Sequence, residues 1–117
     1  MRILYLDDDE LNRLLVCQAV KDQFEIDAVG KAEEAFKLAN ENDYDILLLD
    51  INLNDTHIDG FGVLQKLKTI PHLKDSICIA HTNYFGEEWE RKCLNNGFDF
   101  YNPKPFILSE FEKFLKK

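Results

Sequence analysis

Residues 3–10 read ILYLDDDE, four apolar side chains followed without a break by four acids. The apolar part has the length of a buried β-strand, and the acids come at its carboxyl end. A second apolar run, Ile46–Leu49, stops in the same way at the single acid Asp50. Because the carboxyl ends of parallel strands meet at one edge of a sheet, the pattern predicts an α/β domain with clustered carboxylates at that edge.

The rest of the chain continues this alternation of short apolar runs and segments of helical period. The predicted strands are residues 3–6, 24–29, 45–49, 76–81 and 98–102, and the predicted helices are residues 11–19, 32–40, 61–67, 87–96 and 107–115. Gly97 is placed as the residue that ends the fourth helix. In the first helix an apolar stripe is formed by Leu11, Leu14, Leu15 and Ala19, with Asp8 or Asp9 as N-cap.

Five strand–helix repeats predict a doubly wound parallel sheet with right-handed crossovers and helices on both faces. The length suits a flavodoxin-like (βα)5 sandwich with strand order 2-1-3-4-5. That order is the one known for this class of fold, and the residue pattern by itself does not determine it. The run Ile46–Leu49 is the most apolar, so it should be the central strand, buried on both faces.

Composition limits the cell compartment and the partners. The chain has 117 residues, which suits one domain spanning 1–117, and 22 acids against 14 bases give a net charge of -8. This charge disfavours direct binding to nucleic acid or to anionic membranes. No apolar run has the length of a membrane span, no signal peptide is recognisable, and three cysteines without CxxC spacing fit a reducing cytoplasm.

The acids at the predicted sheet edge indicate metal-assisted phosphate chemistry. Asp7, Asp8 and Asp50 would repel one another there, so the cluster calls for a bound cation. Carboxylate oxygens with room for water suit Mg²⁺, with Mn²⁺ as the alternative ion. Asp50 stands alone after the central strand and is the candidate nucleophile. A merely acidic helix N-terminus would explain Asp9 and Glu10 but not Asp50.

Thr82 and Lys104 are further candidates at the same edge. Thr82 ends the fourth predicted strand, where its hydroxyl could donate to a phosphoryl oxygen, although a strand-end Thr is often only a β-former or a cap. Lys104 lies between Pro103 and Pro105, so its loop is stiff and its ammonium is a candidate counter-charge for phosphate. An X-Pro peptide bond in this turn, which contains Pro103 and Pro105, is a candidate for the cis form.

Five stretches in order form a specific set: ILYLDDDE (3–10), YDILLLDINL (44–53), DG (59–60), ICIAHTN (77–83) and NGFDFYNPKPF (96–106). The set resembles the receiver domain of response regulators in bacterial two-component signal transduction, and the likeness covers essentially all 117 residues. The 22-residue step from Thr82 to Lys104 also fits that family. Each motif alone is weak, whereas the whole set is specific.

The resemblance implies roles for the residues that hold the metal and accept the phosphoryl group. Asp50 resembles the phosphoacceptor, which takes a phosphoryl group from a histidine kinase or a phosphotransfer protein. Asp7 and Asp8 resemble the acid pair that holds Mg²⁺, Asp8 directly and Asp7 through water. The backbone carbonyl of Asn52 would complete the protein ligands. Lys104 resembles the lysine that binds the phosphoryl group.

The resemblance also implies a switch and an output surface. Thr82 resembles the switch hydroxyl, and Tyr101 the aromatic residue that turns inward when Thr82 moves to the phosphoryl group. In the family this remodels the face made by the fourth helix, fifth strand and fifth helix, which engages an output domain or partner protein. A homodimer through that face is left open. Such a domain is not a general enzyme and catalyses only its own phosphorylation and dephosphorylation.

The chain departs from the family pattern in two loops and two strands. Residues 54–58 make the loop after Asp50 about two residues longer than usual, and a solvated loop is expected there. Asn83 is larger than the usual small residue and should narrow the approach to the phosphoryl group. His81 replaces an aliphatic residue and is expected to be half-buried and hydrogen-bonded. Phe98 and Phe100 fit either core packing or an output contact.

Three other functions fit parts of the sequence. A degenerate receiver would keep the fold as an interaction module without phosphorylation, but the full set of site residues is present. A phosphatase of the haloacid dehalogenase type would need a second acid two residues after Asp50, where Asn52 stands. A flavin-binding flavodoxin would need a phosphate cradle in the first strand–helix turn, where this chain has acids.

Overall fold

The computed structural model describes residues 1–55 and 57–116 as one α/β sandwich. Its strands are β1 (Arg2–Leu6), β2 (Glu25–Val29), β3 (Ile46–Leu49), β4 (Ile77–Thr82) and β5 (Phe100–Pro103). Its helices are α1 (Glu10–Val20), α2 (Ala32–Glu41), α3 (Gly60–Leu67), α4 (Glu87–Asn95) and α5 (Leu108–Lys113), with a 3₁₀ turn at Pro71–Leu73. The predicted alternation of strands and helices is confirmed.

The strands form one parallel sheet in the order β2-β1-β3-β4-β5, as predicted. Leu6 at the end of β1 pairs with Leu49 at the end of β3, which in turn pairs with Ala80 in β4. This register brings the segments that follow β1, β3, β4 and β5 to one edge of the sheet. The acids and the lysine singled out in the sequence lie in those segments.

Alternate residues of each strand pack against helices on opposite faces of the sheet. All four residues of β3 are completely buried, which confirms that this strand is central. Leu4 and Leu6 face a cluster that includes buried residues of α2, α3 and α4. Ile3 and Tyr5 face a second cluster, to which α1 and α5 contribute Val16, Val20 and Phe111.

The apolar stripe predicted on α1 does not pack against the core. Leu11, Leu14 and Leu15 are 61%, 57% and 56% exposed, whereas Val16 and Val20 are the buried residues of that helix. The helix carries two overlapping apolar stripes at helical spacing, so periodicity alone does not identify the buried one. The angle at which α1 lies on the sheet determines which stripe is buried.

The N-cap of α1 is Asp9, whose side chain accepts a hydrogen bond from the Leu11 N–H at 3.0 Å.

The segment before β5 corrects a predicted boundary. Gly97 has a φ of 106° and follows the C-cap of α4, so the predicted glycine stop is confirmed. β5 begins at Phe100 and not at Phe98. Phe98 is buried, with its ring edge-to-face with Phe61 at 6.2 Å between centroids, and Phe100 stacks on Phe114 at 4.9 Å. Phe98 therefore packs in the core, whereas Phe100 is half-buried and packs against Phe114.

Candidate functional site

Three carboxylates come together at the carboxyl edge of the sheet. Asp7, Asp8 and Asp50 each offer an oxygen, and these oxygens all lie within 4.8 Å of one another. Asp8 and Asp50 border an open cavity of about 330 Å³, whose full lining is Asp8, Asp9, Asp50, Asn52, Asn54, Asn83 and Lys104. The predicted convergence of the acids and Lys104 on one crevice is therefore observed.

Backbone hydrogen bonds continue past the strand ends and fix the two buried acids. The Asp7 N–H donates to the Val29 carbonyl at 3.1 Å, and the Asp50 N–H donates to the Leu6 carbonyl at 3.0 Å. The backbone of Gly60 lies close to the backbone of Asp50 and Ile51, and the Gly60 N–H donates to the Ile51 carbonyl at 2.9 Å. A Cβ at Gly60 would overlap the Asp50 carbonyl, so the glycine of the Asp-Gly pair is required by space.

The Asp7 carboxylate is fully buried and receives three donors. Its Oδ1 accepts the Asp9 N–H at 2.9 Å, and its Oδ2 accepts the Tyr5 hydroxyl at 2.6 Å and the Lys104 ammonium at 2.8 Å. These donors replace the water that the carboxylate loses on burial. Burial and the bond to Asp7 raise the pKa of the Tyr5 phenol far above its usual value, so this hydroxyl stays a donor.

Asp50 is also buried, at 3% exposed, but its side chain faces the cavity. Its Oδ2 accepts the Lys104 ammonium at 2.9 Å, and its Oδ1 accepts the Asn52 N–H at 3.2 Å. Burial raises the pKa of the Asp50 carboxyl, against the opposing effect of Lys104, and nearby Asp7 adds to the rise. Burial also lowers the pKa of Lys104, but its bonds to Asp7 and Asp50 outweigh this and raise it. Lys104 thus stays charged between the two carboxylates.

Asp8 is the most accessible acid of the three. It is half-buried, lines the cavity, and its Oδ2 accepts the Asn54 N–H at 3.0 Å. Asn52 also lines the cavity, as does Asn83, whose predicted place beside the approach to Asp50 is thereby confirmed. Of the X-Pro bonds in this turn, Lys104–Pro105 is cis.

Thr82 and Tyr101, the residues with implied switch roles, both form hydrogen bonds to the backbone of Tyr84, and no described hydrogen bond links either of them to Asp50. Thr82 is fully buried, and its hydroxyl oxygen accepts the Tyr84 N–H at 3.2 Å. The Tyr101 hydroxyl donates to the Tyr84 carbonyl at 2.5 Å. The Tyr84 ring in turn stacks on Trp89, with 4.2 Å between centroids and 18° between ring planes. Thr82 and Tyr101 are therefore connected through one backbone residue.

His81 is more deeply buried than the sequence suggested. It was expected to be half-buried, but it is 1% exposed, with its Nδ1 2.9 Å from the Asn102 carbonyl. Burial lowers the pKa of His81 to about 4, so it is neutral at pH 7. The expectation was wrong because alternation along a strand predicts on which face of the sheet a side chain lies, but not how deeply that side chain is buried. His57 in the long loop is exposed, as expected.

Sequence reasoning missed two neighbours of Asp7. The Tyr5 hydroxyl reaches its side chain, and the Arg13 guanidinium donates to its backbone carbonyl at 2.6 Å. The signal for Tyr5 was present: residues two apart on a strand share a face, so a polar aromatic two positions before Asp7 points the same way. No sequence pattern predicts the contact between Arg13 and the Asp7 carbonyl, because this contact depends on how α1 lies on the sheet.

The donor set fits a hard divalent cation. Three carboxylates lie within ligand distance of one another, while Lys104 supplies the single ammonium bonded to this group among the described contacts. All of the offered ligand atoms are oxygens, and the cavity beside them has room for water. Mg²⁺ prefers such oxygen ligands and retains several waters, so the cluster suits this ion.

Fold and site define a class of protein: a five-stranded doubly wound domain with an acid cluster and a lysine at the carboxyl edge of its sheet. The profile of the response regulator receiver domain matches residues 3–116 of this chain. The chain belongs to that family, as the sequence motifs predicted.

Relatives and solved structures agree with this assignment. The chain is 37% identical over 110 residues to the transcriptional regulatory protein SrrA of Staphylococcus aureus, covering 92% of this chain and 43% of that regulator's length. It is 28% identical to the response regulator TrrA of Thermotoga maritima, solved in complex with Mg(2+)-BeF, with a TM-score of 0.80 over 97% of this chain and 95% of that one.

A more distant structure supports the fold. The chemotaxis protein CheY4 of Vibrio cholerae has 21% identity and a TM-score of 0.85, covering 97% of this chain and 94% of that one.

Among the described residues, no helix has the length and apolarity needed to cross a membrane.

Proposed function

We propose that this chain is a phosphorylatable receiver in which Asp50 accepts a phosphoryl group from a histidine kinase or a phosphotransfer protein. One observation carries the proposal: the Asp50 carboxylate faces an open cavity, bonded to Lys104 and within 4.8 Å of ligand oxygens of Asp7 and Asp8. Phosphoryl transfer needs a nucleophile, a fixed counter-charge and oxygens that hold a cation, and these residues supply all three.

In the proposed reaction an Asp50 oxygen attacks phosphorus while the bond to the donor's leaving group breaks. Lys104, shared at 2.8 Å and 2.9 Å between Asp7 and Asp50, is positioned to bind oxygens of the incoming group. Mg²⁺, or Mn²⁺ in its place, would be held by Asp7, Asp8, Asp50 and the Asn52 carbonyl. When bound, the ion would neutralise charge on the phosphoryl oxygens.

The proposed output depends on Thr82 leaving its present partner. To reach a phosphoryl group on Asp50, the Thr82 hydroxyl must give up the Tyr84 N–H, while Tyr101 is bonded to the carbonyl of the same residue. Movement of Thr82 would then disturb both Tyr101 and the Tyr84–Trp89 stack. This supports a two-state rearrangement of the face formed by α4, β5 and α5.

The remaining features of the proposal follow from family and charge. The chain would act as one domain, 1–117, in the cytoplasm, and would pass its signal to an output domain or partner protein. With a net charge of -8 it would not contact nucleic acid directly. A homodimer through the α4-β5-α5 face is one form that the output could take. Its only chemistry would be its own phosphorylation and dephosphorylation.

Labelling with a small acyl phosphate or phosphoramidate in the presence of Mg²⁺ tests the acceptor. One base-labile phosphoryl group should be added, and both Asp50→Asn and removal of Mg²⁺ by a chelator should abolish labelling. Asp59→Asn is the matched control, because it makes the same substitution at the N-cap of α3 and should label normally. Full labelling of Asp50→Asn would refute the assignment, and no labelling of the native protein would favour a phosphorylation-independent interaction module.

Fluorescence tests the switch, because Trp89 is the single tryptophan of the chain. Phosphorylation should change its emission, since Tyr84, which lies between Thr82 and Trp89, would move. Thr82→Val should leave labelling of Asp50 largely intact but suppress the change in emission. If the change persists undiminished in Thr82→Val, the proposed route through Tyr84 is wrong.

A further inference from the structure

A tyrosine hydroxyl contacts the metal-holding acid from inside the core. Tyr5 lies in β1, completely buried, and its hydroxyl donates to Asp7 Oδ2 at 2.6 Å. The two side chains point to the same face because they are two residues apart. The aliphatic residues that fill most of β1 could occupy the same space but could donate nothing.

The oxygen that Tyr5 contacts is the one that Lys104 also contacts. Asp7 Oδ2 accepts the Tyr5 hydroxyl and the Lys104 ammonium at 2.8 Å, and the same ammonium lies 2.9 Å from Asp50 Oδ2. If the hydroxyl were absent, Lys104 would be the sole donor to that Asp7 oxygen in the described structure. Lys104 would then be drawn towards Asp7 and away from Asp50.

Packing leaves the Tyr5 hydroxyl little freedom to turn away. The ring belongs to the buried cluster that includes Ile46, Leu48 and Ile79, and it lies 6.3 Å from the His81 ring, centroid to centroid. His81 is itself held between the Asn102 carbonyl and the ring of Phe106, at 5.6 Å. A donor fixed in this way imposes one orientation on the carboxylate that it contacts.

We propose that Tyr5 is a positioning residue for the metal and phosphoryl site. Its hydroxyl fixes the orientation of the Asp7 carboxylate towards the cation and keeps Lys104 shared between Asp7 and Asp50. The inference rests on the proposed function of this site, and it assigns a role to a residue of the core that does not itself line the cavity.

The chain contains a matched control for a purely structural role. The Tyr44 hydroxyl donates to Asp27 Oδ2, also at 2.6 Å, and this carboxylate also has a cationic partner, Arg2, at 2.9 Å. This pair lies outside the acid cluster. Tyr44→Phe therefore removes the same kind of bond, of the same length, without touching the metal site.

Calorimetric titration with Mg²⁺, repeated with Mn²⁺, tests the proposal on the native protein, Tyr5→Phe and Tyr44→Phe. Removing a residue that orients a metal ligand typically weakens metal binding by about tenfold or more, and this loss is expected for Tyr5→Phe. Tyr44→Phe should bind as the native protein does. Equal affinity of Tyr5→Phe and the native protein, or equal losses in both variants, would overturn the proposal.

An experiment without metal provides a second measurement. The Asp9 N–H donates to the other oxygen of Asp7, so its amide resonance in a ¹H–¹⁵N NMR spectrum reports the orientation of that carboxylate. This resonance should shift in Tyr5→Phe and stay unchanged in Tyr44→Phe. An unchanged Asp9 amide in Tyr5→Phe would contradict the positioning role.

The two measurements also separate this inference from the proposed function. If the native protein binds neither Mg²⁺ nor Mn²⁺, the metal-dependent function is wrong and the role of Tyr5 is wrong with it. If the native protein binds the metal and Tyr5→Phe binds it equally well, the proposed function stands and only the role of Tyr5 is overturned.

Discussion

The ends of β1 and β3 each place an aspartate at the same edge of the sheet, yet the two carboxylates have different surroundings. Asp7, after β1, is fully buried and receives donors from Tyr5, Asp9 and Lys104. Asp50, after β3, faces the cavity and receives the same ammonium and one backbone N–H at the longer distance of 3.2 Å.

These surroundings suit the Asp7 carboxylate to holding its neighbours in place and the Asp50 carboxylate to accepting a new group. A fully buried carboxylate that accepts hydrogen bonds from three groups is fixed in one orientation and shielded from an incoming phosphoryl group, whereas a carboxylate with fewer donors beside an open cavity is accessible to one. Burial raises the pKa of Asp50, which shows that its charge is less well compensated than that of a solvated acid. The same residue type is therefore suited to hold the site together at one strand end and to react at the next.

The largest expected effect of this contrast is on stability in the absence of metal. Asp7→Asn removes one partner of a buried ion pair and should lower the free energy of unfolding by about 3 kcal/mol. Asp50→Asn removes a poorly compensated charge, while Lys104 keeps its bond to Asp7, so stability should be unchanged or higher. Urea unfolding at pH 7 measures both variants. Similar losses in the two would show that the contrast is wrong.

A second prediction concerns the core behind Asp7, where His81 packs against Tyr5. The pKa of His81 falls from 6.5 to about 4 on folding because of burial, so between these values the unfolded chain binds a proton that the folded protein does not. The free energy of unfolding should fall as the pH drops from 6.5 towards 4 and level off below. At pH 5 the loss from this residue is about 2 kcal/mol.

Urea unfolding between pH 7 and pH 4 tests this in the native protein and in two variants. His81→Leu should show a shallower loss of stability over that range, whatever its stability at pH 7. His57→Gln, at an exposed histidine, should keep the slope of the native protein. Parallel slopes in His81→Leu and the native protein would contradict the prediction.

The smallest of the expected effects is on cation affinity, and it extends the comparison to the accessible acid beside Asp7. Asp8→Asn should weaken Mg²⁺ binding by about tenfold, or 1.4 kcal/mol, because it removes one anionic ligand from the cluster. Asp9→Asn changes the net charge equally but keeps an N-cap side chain on α1, and should bind nearly as the native protein does. Equal losses in the two variants would indicate a general charge effect and not a ligand.

Bound Mg²⁺ should also raise the midpoint of thermal unfolding, because the folded state alone assembles the cluster. The rise should be smaller in Asp8→Asn than in Asp9→Asn at the same Mg²⁺ concentration.

The sequence alone was sufficient for the alternation of strands and helices and for the residues at the sheet edge. The apolar runs of β1 and β3 stop at Asp7 and Asp50, and parallel strands necessarily bring those stops together. The same reasoning explains why the central position of β3 and the glycine stop at Gly97 could be predicted, since both depend on local pattern. The strand order came from the known class and was confirmed by the structure.

Tertiary structure alone decided which face of α1 is buried, how deep His81 lies, and which donors surround Asp7. The first depends on the angle at which the helix lies on the sheet, because Leu11 and Val16 belong to overlapping stripes of equal helical spacing. The others depend on side chains brought together from distant parts of the chain, such as Asn102 with His81 and Lys104 with Asp7. Local pattern determines where a side chain points, whereas long-range packing determines what it contacts.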